Sequence, residues 1–213
     1  MKVVVISQSG AGTNMFRSFL NSHPDVEVFE EIFEPSTRFD DYRNRESGVR
    51  DYIDDFEKAG DRFDRTKRDR ITAGRQAKVF GFDLKYEQIR DNPDIINELI
   101  SRGYYVIHLI RDIREAYRES LKTRLNPIKP WEEKKYVEFV EKTINLIESN
   151  FANDIPDSIY FRVVYENLTG GKIIDSLPDD FENDLLDYLK LSRRTLSLSD
   201  RHVNRDRVIG LRE

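Results

Sequence analysis

Residues 3–7 read Val-Val-Val-Ile-Ser, four consecutive β-branched apolar side chains with only Met1 and Lys2 ahead of them. β-Branched side chains favour extended backbone. A strand that lacks polar alternation has both of its faces covered. A polar, glycine-bearing stretch follows at once, residues 7–13. Residues 14–22 then carry Met15, Phe16, Phe19 and Leu20 at helical spacing. A doubly covered strand passing through a short loop into a helix opens a parallel α/β layer, because parallel strands need crossover helices and these helices cover the sheet.

The rest of the chain keeps that alternation. His23-Pro24 ends the first helix, since a residue before proline is pushed out of the helical region. Residues 26–29, 77–86, 104–111 and 158–164 supply four more strands. Residues 48–58, 93–102, 112–124, 130–150 and 179–189 supply helices, the first with Val49, Tyr52, Ile53 and Phe56 inward. Gly103 stops the helix before the fourth strand, and Pro130 suits a first helical turn. The pattern predicts one α/β domain with a central parallel sheet of about five strands flanked by helices. Ligands of such sheets bind beyond the carboxyl ends of the strands. Residues 7–14, residues 29–34, the residues after Leu84, and Arg111 are therefore the places for a site.

Composition narrows the chemistry. The chain has 213 residues and no cysteine, which excludes disulfides, a thiolate nucleophile and a cysteine zinc site. Three histidines, His23, His108 and His202, are too few for a histidine-rich metal centre, and no Asp-x-Asp-x-Asp-Gly loop is present, so no metal is expected. A net charge of −5 argues against a surface that binds nucleic acid throughout. No apolar run approaches the ~20 residues that span a bilayer. The apolar start is shorter than the ~7–15 residues of a signal-peptide core, so a cytoplasmic location is expected. Residues 61–75 hold Arg62, Arg65, Lys67, Arg68, Arg70 and Arg75 against Asp61, Asp64 and Asp69, within an insertion at about 36–75 that is expected to be mobile in part. A solvated charged loop and an anion-attracting lid are both open readings of it.

Ser9, Gly10, Ala11, Gly12, Thr13 and Asn14 join the first strand to the first helix. The two glycines let the backbone approach a ligand closely. The helix N-terminus adds partial positive charge, and Thr13 and Asn14 add donors, which together make a seat for phosphate or sulfate; a plain strand-to-helix turn is the alternative. No lysine follows Gly12, so this is not the Gly-x-x-x-x-Gly-Lys-Ser/Thr loop of ATP-type enzymes. The third glycine of the dinucleotide fingerprint is also missing. Arg111, at the end of the fourth strand, can fork onto a phosphate or pair with Asp112 or another carboxylate. Of Glu30 and Glu31, alternation after the second strand sends only one inward. His108, within an apolar strand, reads chiefly as a hydrogen-bonded core histidine and secondly as a base.

The ordered set Gly10-Ala11-Gly12-Thr13-Asn14, Arg17-Ser18-Phe19-Leu20, His23-Pro24, Glu30-Glu31-Ile32-Phe33-Glu34-Pro35, Phe80-Gly81-Phe82-Asp83-Leu84-Lys85-Tyr86, Val106-Ile107-His108-Leu109-Ile110-Arg111-Asp112, Val164-Tyr165-Glu166-Asn167-Leu168 and His202-Val203-Asn204-Arg205-Asp206-Arg207-Val208-Ile209-Gly210 resembles the sulfotransferase family that uses 3′-phosphoadenosine 5′-phosphosulfate (PAPS). The likeness spans nearly the whole chain and is closer to bacterial and carbohydrate-type members than to the cytosolic enzymes for small phenols. It implies a P-loop nucleotide-hydrolase-like fold over residues 1–213. It also implies PAPS as cofactor, with adenosine 3′,5′-bisphosphate as its product. The acceptor would be a hydroxyl or amine of a carbohydrate, lipid-linked sugar or small metabolite. By the same likeness the loop holds the 5′ end of the nucleotide, and Arg111, Ser120 and Tyr165 attend the nucleotide. The tail at about 199–213, through Arg205, Arg207 and Gly210, covers it. Glu31, or else Glu30, is the base. Two departures stand out: Ser120 follows Arg111 by nine residues where the family has eight, and Gly10 replaces the basic loop residue. Either Lys85, Arg17 or a residue of the basic insertion supplies that cation, or catalysis is weak or absent. The alternatives to a sulfotransferase are a nucleotide-dependent phosphotransferase and a non-catalytic nucleotide- or anion-binding protein.

Overall fold

The structure, a computed structural model, describes residues 1–33, 39, 42, 45–59, 77–123, 132–151, 159–169 and 177–197. Five strands, β1 (Lys2–Ser7), β2 (Val26–Phe29), β3 (Val79–Lys85), β4 (Tyr105–Ile110) and β5 (Tyr160–Val164), pair in parallel in the order β2-β3-β1-β4-β5. Around them lie α1 (Thr13–Asn21), α2 (Gly48–Ala59), α3 (Tyr86–Asp91), α4 (Asp94–Ser101), α5 (Ile113–Thr123), α6 (Glu133–Phe151), α7 (Tyr165–Thr169) and α8 (Asp179–Tyr188).

The apolar start of the chain is central, as its lack of alternation requires. Val3 and Val5 join a layer with Phe16 and Phe19 of α1 and Leu185 and Leu186 of α8. Val4 and Ile6 face the opposite layer, with Tyr52, Ile53 and Phe56 of α2, Leu99 of α4, and Val140 and Ile147 of α6. The helix inside the expected insertion is thus part of the core, while residues 60–76 lie outside the described residues.

Register carries this layering to β3. Val5 pairs with Asp83 and Ser7 with Lys85, so positions 79, 81, 83 and 85 share the α1 face. That face runs from Val79 through Gly81 to Asp83 and Lys85, changing from core to charge as the strand reaches its carboxyl end. The strand ends at Lys85 because Tyr86 starts α3, where the Gln88 side chain accepts the Lys85 N–H at 2.9 Å. Neither α3 nor α7 is foreseen from sequence, since five or six residues carry too little periodicity to show.

On the opposite face His108 is 0% exposed. Tyr86 Oη lies 2.6 Å from its Nε2 and Tyr160 Oη 2.7 Å from its Nδ1. A neutral imidazole has one donor and one acceptor nitrogen, and the two hydroxyls serve either tautomer. Burial, with a smaller contribution from Arg162, lowers its pKa from 6.5 to about 3. The unfolded chain therefore takes up a proton below pH 6.5 that the folded chain refuses until about pH 3. This contribution to stability is full above pH 6.5 and is lost as the pH falls from there toward 3. The expected slope is about 1 kcal/mol per pH unit. Denaturant unfolding of parent and His108→Gln at pH 7 and pH 5 measures it: the parent should lose more stability than the variant, and equal losses would contradict the assignment.

Candidate functional site

The loop between β1 and α1 is built around two left-handed glycines, Gly10 at φ 80° and Gly12 at φ 84°. Side chains fit at neither position. A Cβ on Gly10 would stand 2.2 Å from the Ala116 carbonyl oxygen of α5, and one on Gly12 would stand 2.4 Å from the Tyr165 ring. The loop's carbonyls are taken up: Gln8 O accepts the Ala11 N–H (3.2 Å), Ser9 O the Tyr136 hydroxyl of α6 (2.9 Å), Gly10 O the Arg111 Nη1 (3.0 Å) and Gly12 O the Phe16 N–H (3.1 Å). No side chain caps α1, and the first N–H groups of a helix have no partner within it. Donors at an uncapped N-terminus, with the neighbouring carbonyls engaged, are the arrangement that attracts an anion.

Lys85 brings a cation to the same place from the next strand. Its ammonium donates to Thr13 Oγ1 at 2.6 Å and to Ser7 Oγ at 3.2 Å, and those two hydroxyls are 2.6 Å apart. Thr13 is the first residue of α1, so the charge sits beside the helix N-terminus. Sheet register, and not the loop, thus delivers a lysine to the start of α1. Arg17, the other described cation that could serve, is committed elsewhere: Nη1 lies 2.8 Å from Asp83 Oδ2 and Nη2 lies 3.5 Å from Glu30 Oε1.

On the other side of the loop, Arg111 follows β4. Its guanidinium lies over the Tyr165 ring at 4.6 Å and donates to Gly10 O, while its Nε is buried without a hydrogen-bond partner. No carboxylate among the described residues pairs with it. Asp112 instead caps α5, its Oδ1 accepting the N–H groups of Arg114 (3.1 Å) and Glu115 (2.9 Å). Gln8 is fully buried between these parts. Its Nε2 donates to Arg111 O at 2.8 Å and its Oε1 has no partner. Ser120 is buried on α5 with its hydroxyl donating to Tyr117 O at 2.7 Å, and its backbone nitrogen lies 3.1 Å from where a Gly10 Cβ would be.

The acidic side follows β2, which ends at Phe29, so strand alternation does not reach Glu30 and Glu31. A turn separates them. Glu31 has φ 31°, and its N–H donates to Asp83 Oδ1. A non-glycine residue there is strained by about 1–2 kcal/mol. The outcome is that Glu30 meets Arg17, whereas Glu31 Oε1 lies 4.0 Å from Lys85 Nζ.

Solved structures that share this fold include two sulfotransferase domains. A sulfotransferase domain from the Synechococcus PCC 7002 olefin synthase superposes at a TM-score of 0.52 with 14% identity, covering 91% of this chain and 74% of its own. A sulfotransferase domain from the curacin biosynthetic pathway does so at 0.56 with 15% identity, covering 91% and 75%. At these identities the likeness shows the P-loop-like α/β fold. No protein-family profile matches the chain, and no curated protein matches it in sequence.

The structure therefore gathers Ser9, Gly10, Ala11, Gly12, Thr13, Lys85, Arg111, Ser120 and Tyr165 around one loop, with Glu31 beside Lys85. Asn14 is exposed on the first turn of α1. Glu34, His202, Arg205, Arg207 and Gly210 lie outside the described residues, as do the basic segment 61–75 and the tail from 198. Among the described residues no group of three or more His, Asp or Glu side chains could hold a metal ion, and no helix is long and apolar enough to cross a membrane. Sequence reasoning passes over Gln8, Asp83 and Tyr136. Of these only Asp83 carries a signal, a carboxylate inside the apolar run of a buried strand.

Proposed function

We propose that this chain is a PAPS-dependent sulfotransferase acting on a hydroxyl or amine acceptor, with a carbohydrate or small metabolite as the acceptor class. The observation that supports the reading best is the Lys85 ammonium held on Ser7 and Thr13 at the uncapped start of α1, since it supplies the cation that the loop lacks. A bisphosphorylated nucleotide also fits the residues present. The start of α1 has no side-chain cap, and Arg111 keeps an unpartnered buried Nε. In this reading the loop N–H groups and Lys85 hold the 5′ end, while Arg111 and Ser120 hold the 3′-phosphate with Tyr165 packed beneath the guanidinium. Arg205, Arg207 and Gly210 of the tail cover the nucleotide.

PAPS, when bound, supplies an activated sulfuryl group. The protein's share is mostly placement and charge stabilisation. Lys85 neutralises charge on the departing phosphate. Glu31 takes the acceptor's proton on its carboxylate, the kind of assistance worth ~10²–10⁴-fold. Glu30, engaged by Arg17, serves the frame.

Calorimetry with adenosine 3′,5′-bisphosphate and with ATP tests the nucleotide, and turnover of labelled PAPS against a panel of acceptors tests the reaction. Preference for the bisphosphate together with sulfated product supports the proposal. Preference for ATP indicates a phosphotransferase, and bisphosphate binding without product indicates a non-catalytic binder. In the active protein Glu31→Gln should lower turnover at least roughly 10²-fold with nucleotide affinity nearly unchanged. Glu30→Gln should stay close to the parent; the reverse ranking would transfer the base to Glu30.

A further inference from the structure

Asp83 is a 0% exposed carboxylate in the run Val79–Lys85. Its oxygens have separate tasks: Oδ2 accepts from Arg17 Nη1 at 2.8 Å, and Oδ1 accepts the backbone N–H of Glu31. A buried ion pair is a poor source of fold stability, because desolvation offsets the attraction, and a well-packed apolar pair does as well or better. An apolar pair could not offer the Glu31 amide an oxygen fixed in direction by a guanidinium. That amide belongs to a residue at φ 31°, a conformation unfavourable for any residue with a Cβ and one that persists only under outside constraint. Fixing the peptide plane between Glu30 and Glu31 decides how each side chain leaves the backbone. Glu30 leaves toward Arg17 and Glu31 toward Lys85. We propose that the Asp83–Arg17 pair is a positioning device: it holds the backbone of Glu31 in its left-handed turn and so aims the Glu31 carboxylate at the Lys85 side of the loop. The inference rests on the reading of Glu31 as the proton acceptor.

Two double variants test it. Arg17→Met with Asp83→Leu replaces the pair by apolar side chains of similar size and removes the acceptor. Arg17→Gln with Asp83→Asn removes the charges and keeps an acceptor oxygen. Hydrogen exchange at the Glu31 amide, corrected for global stability from denaturant unfolding, is the first readout and needs no acceptor substrate. The Met/Leu variant should exchange there about tenfold or more faster than the Gln/Asn variant. Both should bind adenosine 3′,5′-bisphosphate within about threefold of the parent, because the loop and Arg111 are untouched. With labelled PAPS the Met/Leu variant should lose kcat without a matching loss of bisphosphate affinity, and the Gln/Asn variant should recover part of it. Equal exchange at Glu31 in both variants and the parent overturns the inference. If Met/Leu does not fold, Asp83→Asn alone decides. Its weaker acceptor should move the Glu31 amide proton upfield in NMR spectra, and an unmoved resonance overturns the inference too. A parent that binds no bisphosphate sinks the sulfotransferase reading instead, and leaves the exchange result to stand or fall by itself.

Discussion

Lys85→Met is expected to lower sulfuryl transfer by roughly 10²–10³-fold, the scale for removing one preorganised charge-stabilising donor from an active site. The fold should survive. Ser7 Oγ and Thr13 Oγ1 are 2.6 Å apart and remain partners when the ammonium is gone. The methionine inherits a largely enclosed slot, the lysine side chain being only 11% exposed. In the parent that enclosed charge has two hydroxyls and, at 4.0 Å, one carboxylate around it. Burying a cation in such company is costly until an anion arrives. Unfolding stability without ligand should therefore change by no more than about 1 kcal/mol, while stabilisation by added bisphosphate shrinks. Thermal melts with and without bisphosphate, beside turnover of labelled PAPS, measure both effects. Full turnover in Lys85→Met would remove the lysine from the chemistry. Adding Gly10→Lys should not rescue the variant, because the new Cβ would meet the Ala116 carbonyl at 2.2 Å in a backbone at φ 80°.

Arg111→Ala should weaken adenosine 3′,5′-bisphosphate by about 2–4 kcal/mol, the scale for deleting one side of a charge-assisted contact. Adenosine 5′-monophosphate, which lacks the 3′-phosphate, should lose much less. Part of the loss will come through the loop, since the guanidinium also holds Gly10 O at 3.0 Å. Arg111→Lys separates the two effects: a lysine keeps the charge and loses the planar fork and its stacking on Tyr165. Calorimetry on the three proteins with both nucleotides reads this out. Equal losses for the two nucleotides would mean that Arg111 shapes the loop and does not read the 3′-phosphate.

How much of this was legible beforehand differs by residue. Val3 to Ile6 announced a doubly covered strand because four apolar β-branched residues leave no exposed face, and the loop behind them was legible from Gly10 and Gly12 between that strand and a helix. The choice of compensating cation was not. Lys85 and Arg17 are equally basic on paper, and only the pairing of Val5 with Asp83 and Ser7 with Lys85 shows that one guanidinium is consumed by a buried carboxylate while the ammonium is not. Glu30 and Glu31 could not be ranked by period-2 alternation, because the strand stops at Phe29 and a left-handed turn takes over. Tyr136 is one more apolar member of the α6 stripe in sequence, and nothing but the packed structure shows its hydroxyl on Ser9 O. Arg111 was legible as a phosphate ligand or as the partner of Asp112 or another carboxylate; among the described residues no carboxylate pairs with it, and Asp112 caps α5 instead.

The register of β3 on β1 makes the cation a matter of parity. Lys85 stands opposite Ser7 and on the α1 side only because it lies an even number of positions beyond Val79, which packs in that layer. Side chains change faces with each residue along a strand. Loss or gain of a single residue between Val79 and Lys85 would turn the ammonium into the layer of Phe82 and Leu84 and leave the glycine cradle and Arg111 as they are. Under the proposed function such a chain would keep its nucleotide seat and lose its catalytic cation, so a catalyst and a mere receptor would be one codon apart.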